Sequence, residues 1–321
     1  SIPLMCSSIL QLLFNAADIV VVGRWAGDNS LAAVGSNTAL IGLLTNLFVG
    51  LAVGANTLAA KYYGARDREA LRKTVHTSML LSLLSGLLLT LVGVIGARTI
   101  LVWMQTPANV LDLATLYLRI YFLGMPATMI YNFGAALLRA EGDTRRPLYF
   151  LTLAGIVNII LNLFFVIVMK LDVAGVAIAT VISNAVSSLL LLYRLTHTGT
   201  AIRVSAHALQ FDHASFCKIV QIGLPAGIQS AVFAFANIIV QAAINSLGTT
   251  VMAASSAAWN MEVITFNILD SFSQACTTFV GQNYGAGQLE RCKKTLLLSM
   301  LEGFAVLGIA ISLILYFGHP L

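Results

Sequence analysis

Residues 63–80 read YGARDREALRKTVHTSML, and residues 284–301, which begin 221 positions later, read YGAGQLERCKKTLLLSML. Nine of these 18 aligned positions are identical without a gap, and the matches include a Tyr-Gly-Ala triplet, a Glu and a Lys. Upstream, the match continues at an offset of 222, which aligns Pro3 with Pro225. A one-residue gap near the end of the first apolar segment reconciles the two offsets. The chain therefore contains two copies of one structural unit.

The composition indicates a membrane protein, because 58% of the 321 residues are hydrophobic and only 10% are charged. Soluble domains contain about 25% charged residues. A helix needs about 20 mainly apolar residues to cross the hydrocarbon core of a bilayer. Nine segments meet this requirement, so the predicted fold class is an all-α membrane protein. These segments are 2–24, 33–59, 74–96, 116–138, 147–169, 173–195, 217–247, 249–280 and 295–317.

The basic residues predict the orientation of these spans. Alternate loops contain 14 of the 18 Lys and Arg residues. Because loops rich in Lys and Arg stay in the cytoplasm, we expect a multi-pass protein of the bacterial inner membrane with a cytoplasmic amino terminus. The residues in the basic loops are Lys61, Arg66, Arg68, Arg72, Lys73, Arg139, Arg145, Arg146, Arg194, Arg203, Lys218, Arg291, Lys293 and Lys294.

The two copies of the repeat cross the membrane in the same direction, because an even number of spans separates them. Parallel repeats of this kind build two-lobed secondary transporters. Doubling the period gives a parent of about 440 residues and twelve spans. We therefore expect a chain truncated at both ends. Its predicted parts are a six-helix lobe (1–196), a cytoplasmic linker (197–216) and the first three helices of a second lobe (217–321).

Asp18 is the carboxyl that stands out within the spans. It shares one helical face with Gln11 and Asn15 in otherwise apolar surroundings. One interpretation is a carboxyl that only hydrogen-bonds a neighbouring helix. The other is a coupling group, because a carboxyl in an apolar environment holds its proton more tightly than in water and can take up and release it. The repeat aligns Asp18 with Val240, which predicts that this chemistry is confined to the first lobe.

Other polar side chains within the spans extend the candidate site. Each Asn alone is as consistent with helix–helix hydrogen bonding as with a site. Together, the first-lobe residues are predicted to surround Asp18 in one cavity; they are Asn132, Asn158, Asn162 and Thr180. A second-lobe set recurs at helical spacing and is predicted to face the space between the lobes; it comprises Asn237, Gln241, Glu262, Asp270 and Gln274.

No enzyme motif accompanies these groups. The sequence has no Walker loop, and its four cysteines lack metal-binding spacing. We expect no cofactor and no nucleic-acid partner. Two alternatives to an exporter remain. A lipid-linked oligosaccharide flippase should line its cavity with Arg or Lys for pyrophosphate, and the predicted spans contain almost none. A membrane-embedded enzyme should cluster catalytic residues at one membrane face, and the sequence shows no such cluster, so both alternatives are disfavoured.

Five strings give the chain a resemblance to the multidrug and toxic compound extrusion (MATE) family over nearly its whole length. Two of them are NAAD at Asn15–Asp18 and VGR at Val22–Arg24. The longest is LLRAEGDTRRP at Leu137–Pro147. The others are GVAIAT at Gly175–Thr180 and GQNYGA at Gly281–Ala286. Their order and spacing together are specific to this family.

The resemblance implies a monomeric twelve-helix antiporter, embedded in membrane lipids, that exports amphipathic or cationic compounds in exchange for protons or sodium. In the DinF-like branch, the first-helix Asp couples to the ion, and Asp18 matches it. Pro3 matches the point where that helix bends, and Asn132 matches a fourth-helix Asn. Asn158 and Asn162 match a fifth-helix pair, so the resemblance makes Asp18 and this pair the candidate position for a sodium ion if sodium rather than the proton is the coupling ion. The second residue of the pair is often Asp in that branch, and Asn162 removes this carboxylate.

Overall fold

A computed structural model describes residues 2–205, 209–245 and 249–317. Within these ranges the chain forms ten α-helices and one π-helical turn. The helices are α1 (Ile2–Trp25), α2 (Asp28–Gly64), α3 (Arg68–Trp103), α4 (Ala108–Leu123), α5 (Met125–Glu141), α6 (Arg145–Leu163), α7 (Asp172–Thr196), α8 (His213–Asn245), α9 (Thr249–Gly285) and α10 (Leu289–Phe317).

Each of the nine predicted spans coincides with one helix or with two consecutive helical segments. Among the described residues, seven helices are long and apolar enough to cross a membrane, and a bent pair makes an eighth span. The all-helical membrane fold predicted from composition is confirmed.

The fourth predicted span, 116–138, is not a single straight helix. Helices α4 and α5 meet at Gly124 with a bend of 47°. Pro126 explains the break, because it has no N–H to donate to the carbonyl four residues earlier. That carbonyl belongs to Phe122, and the Thr90 hydroxyl of α3 donates to it at 2.7 Å. A neighbouring helix thus satisfies the group that the proline leaves free.

The fifth predicted span ends in an irregular turn. Helix α6 gives way after Leu163 to a π-helical turn at Phe164–Val168. Such turns are rare and are frequent at functional sites. Asn162 lies immediately before this turn.

The described residues on both sides of 206–208, in the stretch between the predicted lobes, contact α3. The Asp212 N–H donates to the Thr77 hydroxyl at 3.0 Å, and Val204 is buried. Helix α8 begins at His213, inside the predicted linker 197–216. The apolar pattern missed this polar first turn, which is stabilised because the Asp212 carboxylate accepts from the Ser215 N–H at 2.7 Å.

Candidate functional site

Three helices bring polar side chains together around Asp18. The Asn162 side-chain amide donates a hydrogen bond to the Asp18 carboxylate. The same amide group donates to Asn158 Oδ1 at 3.1 Å, and Asn158 Nδ2 donates to Thr180 Oγ1 at 3.4 Å. Asp18 is half-buried, whereas Asn162 is only 1% exposed. Helices α1, α6 and α7 therefore share one continuous hydrogen-bonded chain.

A close helix approach sets this geometry. Gly155 of α6 faces Phe14 of α1, and a β-carbon on Gly155 would overlap the phenyl ring. One helical turn further along each helix, Asp18 and Asn158 follow on the same faces. The missing side chain at Gly155 thus allows α1 and α6 to approach closely enough for the polar groups to meet.

The Asn162 amide retains one unused acceptor. Its Oδ1 atom is buried and has no hydrogen-bond partner among the described residues. A carboxamide offers both donors and an acceptor. It can donate to an ionised Asp18 or accept from a protonated Asp18. The carboxylate of Asp18 and Oδ1 of Asn162 are also the oxygens available to a small cation.

Two tyrosines of α4 lie near Asp18 and were not singled out from the sequence. Both phenols lie within electrostatic range of Asp18, and the Tyr117 and Tyr121 rings stack with 5.9 Å between their centroids. Tyr117 is 7% exposed. Their i, i+4 spacing places both tyrosines on one face of α4 and could have marked them as a pair. Aromatic residues at this spacing in an apolar helix usually indicate packing, so the sequence did not single them out.

The other first-lobe candidates lie outside this hydrogen-bonded chain. Gln11 and Asn15 are exposed on α1. Asn132 donates to the Thr128 carbonyl of its own helix at 2.9 Å. The described hydrogen bonds do not connect Asn132 to Asp18. Asn184 of α7, which sequence reasoning missed, donates to the Thr128 hydroxyl at 3.1 Å.

The second-lobe candidates do not form a comparable group within the described part of the chain. The Gln274 amide donates to the Asp270 carboxylate at 2.6 Å. Glu262 is exposed, and Asn237 is partly exposed. The side chain of Gln241 lies outside the described residues.

Pro3 lies in the first turn of the described helix α1, so the bend expected there stays a prediction. The described residues contain no cluster of three or more His, Cys, Asp or Glu side chains suited to a metal ion.

The sequence matches the family model MatE over residues 3–164 and 225–321. It is 30% identical to the Bacillus subtilis protein named "Probable multidrug resistance protein YoeA", over the whole chain and 71% of that protein. It is 26% identical to a Shewanella oneidensis protein named "FAD transporter", over 94% of the chain and 67% of that protein.

Solved structures share the fold. An outward-facing multidrug resistance MATE family transporter of the MOP superfamily aligns with a TM-score of 0.92 and 26% identity, over 99% of this chain and 71% of that chain. A MOP superfamily transporter from Pyrococcus furiosus, described as having a binding pocket of reversed polarity, aligns with a TM-score of 0.91 and 27% identity. That alignment covers 98% of this chain and 70% of the other.

Proposed function

Because the chain belongs to the MatE family of membrane transporters, we propose that it exports amphipathic or cationic small molecules in exchange for protons. The observation that carries this proposal is the chain of hydrogen bonds from Asp18 through Asn162 and Asn158 to Thr180. We place the protein in the bacterial inner membrane with a cytoplasmic amino terminus, as the loop charges predict.

Exchange follows from competition for one carboxylate. An ionised Asp18 attracts an organic cation, whereas a protonated Asp18 does not. Proton uptake therefore lowers the affinity for the substrate, and by thermodynamic linkage substrate binding lowers the affinity for the proton. The Asn162 amide can hydrogen-bond either form, so both states keep a satisfied partner.

Movement between the two states requires two lobes. We propose that residues 1–196 and 217–321 belong to separate lobes joined by 197–216, with the substrate between them. The polar groups of the second lobe, such as Asp270 and Gln274, then face the substrate rather than the coupling ion.

The residues around Asp18 favour protons over sodium. Sodium prefers several oxygen ligands, including charged ones, as other hard cations do. Asp18 supplies the only carboxylate of the hydrogen-bonded chain, because Asn158, Asn162 and Thr180 are neutral. Sodium coupling through Asp18 and the two amides is the alternative that the same assay tests.

An anionic substrate is the second candidate, because one relative is named a FAD transporter. An anionic substrate would need cationic groups facing it. The described helices place most of their Lys and Arg near helix ends. Arg139, in the last turn of α5, is partly buried and interacts electrostatically with Asp270. Loss of flavin dinucleotide transport in Arg139→Gln, with cation export retained, would support this candidate.

The test is export from proteoliposomes under an imposed proton or sodium gradient, with a panel of organic cations and FAD. Asp18→Asn preserves size and hydrogen bonding but cannot titrate, so gradient-driven export should fall to background. Asp112→Asn is the matched control, because Asp112 is exposed and its ion pair in the described part of the chain is with Arg98. Gradient-driven export by Asp18→Asn at the wild-type rate would refute the proposed coupling role.

A further inference from the structure

The two copies of the repeat contact each other at the ends of α2 and α9. A β-carbon on Gly64 would overlap the carbonyl oxygen of Gln282, and one on Gly285 would overlap the carbonyl oxygen of Lys61. Gly64 and Gly285 are 221 positions apart, as are Lys61 and Gln282. Each copy therefore presents the same backbone surface to the other, as in a two-fold symmetric interface.

Side-chain contacts accompany this backbone crossing. Two turns into the helices, the buried Asn56 amide donates to the Thr278 hydroxyl at 3.1 Å. The Gln282 amide donates to the Ala140 carbonyl of α5 at 2.7 Å. These contacts join α9 to α2 and α5 of the predicted first lobe, and they would break if α9 moved away from both helices at this end.

A second glycine contact lies deeper in the bundle, between α2 and α8. Gly50 and Gly54 of α2 face Gly223 and Gly227 of α8 so closely that a β-carbon on any of the four would overlap the opposing backbone. Gly54 and Gly50 precede Gly64 by about 15 and 21 Å along the helix axis, from the rise of 1.5 Å per residue. This contact therefore lies well inside the bundle.

The deeper contact has no copy on the other side of the pseudo-two-fold axis. In the repeat alignment, Gly50 and Gly54 correspond to Ser271 and Ala275 of α9, and Gly227 corresponds to Met5 of α1. At these aligned positions the α1–α9 pair carries side chains where the α2–α8 pair has glycines. The two lobes are thus joined symmetrically at the helix ends but asymmetrically at mid-depth.

We propose that the α2–α8 glycine contact is a pivot and that the α2–α9 crossing at Gly64 and Gly285 is a gate that opens and closes about it. Rotation about a point displaces atoms in proportion to their distance from it, so the helix ends separate while the deeper contact persists. Glycine backbones carry no interlocking side chains that would resist such a rotation. This pivot and gate rest on the proposed transport function and identify the helices that move during the cycle.

Distance measurements between spin labels at Arg66→Cys and Gln288→Cys test the gate, in a background with the four native cysteines replaced by Ser. Both positions are exposed and follow the ends of α2 and α9. Gly64→Ala and Gly285→Ala should each create a longer-distance population, because the added β-carbon opposes closure. Gly35→Ala and Gly42→Ala are matched controls on α2, since nothing lies within 4 Å of either β-carbon, and they should keep the wild-type distribution.

Gln282→Ala tests the gate without added bulk, should a glycine variant fail to fold. It removes the hydrogen bond to Ala140 and should also enlarge the longer-distance population. Distributions identical to the Gly42→Ala control in all three variants would overturn the gate. The distances are measured without substrate or gradient. The test of the gate therefore does not depend on whether the protein exports organic cations.

Discussion

Asn162 lies one helical turn after Asn158 and donates to Asp18, so its side chain decides how many charges the first-lobe network carries. Neighbouring carboxylates cannot both ionise cheaply without a cation between them. The neutral amide at this position lets Asp18 change its charge without a second carboxylate opposing ionisation.

Asn162→Asp should therefore shift the coupling preference toward sodium. A second carboxylate beside Asp18 would repel it, and a bound sodium ion would relieve that repulsion. Export by this variant should rise when a sodium gradient is added, measured as initial rates in proteoliposomes. Asn109→Asp is the control, because Asn109 is exposed and its side-chain amide donates to Asn29 Oδ1, outside the hydrogen-bonded chain of Asp18. An unchanged sodium response would contradict the assignment.

At the residue scale, helical spacing predicted much of the site but not all of it. Asn158 and Asn162 lie one turn apart, and the structure joins them to Asp18 as their phase suggested. Asn132 is also polar and within a span, yet it bonds its own helix. Phase on a single helix cannot reveal which neighbour lies opposite, and the tyrosines of α4 were missed for the same reason.

Helix ends were less predictable than helix interiors. Apolar runs mark where a helix enters hydrocarbon, and each of the nine predicted segments coincides with one helix or with two consecutive helical segments. They do not mark polar turns outside the apolar core, and α8 therefore begins at His213 rather than at 217. Nor do they reveal a bend, because Pro126 breaks the fourth span without interrupting its apolar composition.

Removing the carboxylate before α8 should loosen the start of that helix. Asp212→Ala loses the bond from the Ser215 N–H, and loss of such a cap costs about 1 kcal/mol. Thermal unfolding in detergent should show a lower midpoint for Asp212→Ala than for Asp112→Ala, which removes an exposed carboxylate. Equal midpoints would show that Asp212 contributes no cap.

The same variant should show a defined pH dependence. Hydrogen bonds from Ser215 lower the pKa of Asp212, so this carboxyl contributes stability when it is ionised. That contribution is complete above the unfolded pKa of about 3.9 and is lost as pH falls through the lower folded value. The midpoint difference between wild type and Asp212→Ala should stay constant from about pH 7 to 5 and narrow below about pH 4.

At the scale of the whole molecule, the repeat and the chemistry follow different symmetries. The crossing at Gly64 and Gly285 uses equivalent residues of both copies, whereas the repeat alignment pairs Asp18 with an apolar residue, Val240. In the proposed transport cycle, both copies take part in the movement, and only the first copy supplies a titrating group. The sequence predicted this asymmetry because the loss of a carboxyl between copies is directly visible in their alignment.

The orientation of the whole bundle gives the last prediction. Basic residues cluster in alternate loops, which predicts that the α2–α3 connection lies in the cytoplasm and the α3–α4 connection outside. In a cysteine-free background, a membrane-impermeant maleimide should label Gln105→Cys in spheroplasts but label Arg66→Cys only after permeabilisation. Both positions are exposed, so access to the reagent depends on the side of the membrane alone. Labelling of Arg66→Cys in intact spheroplasts, with Gln105→Cys protected, would invert the topology and place the glycine gate at the outer face.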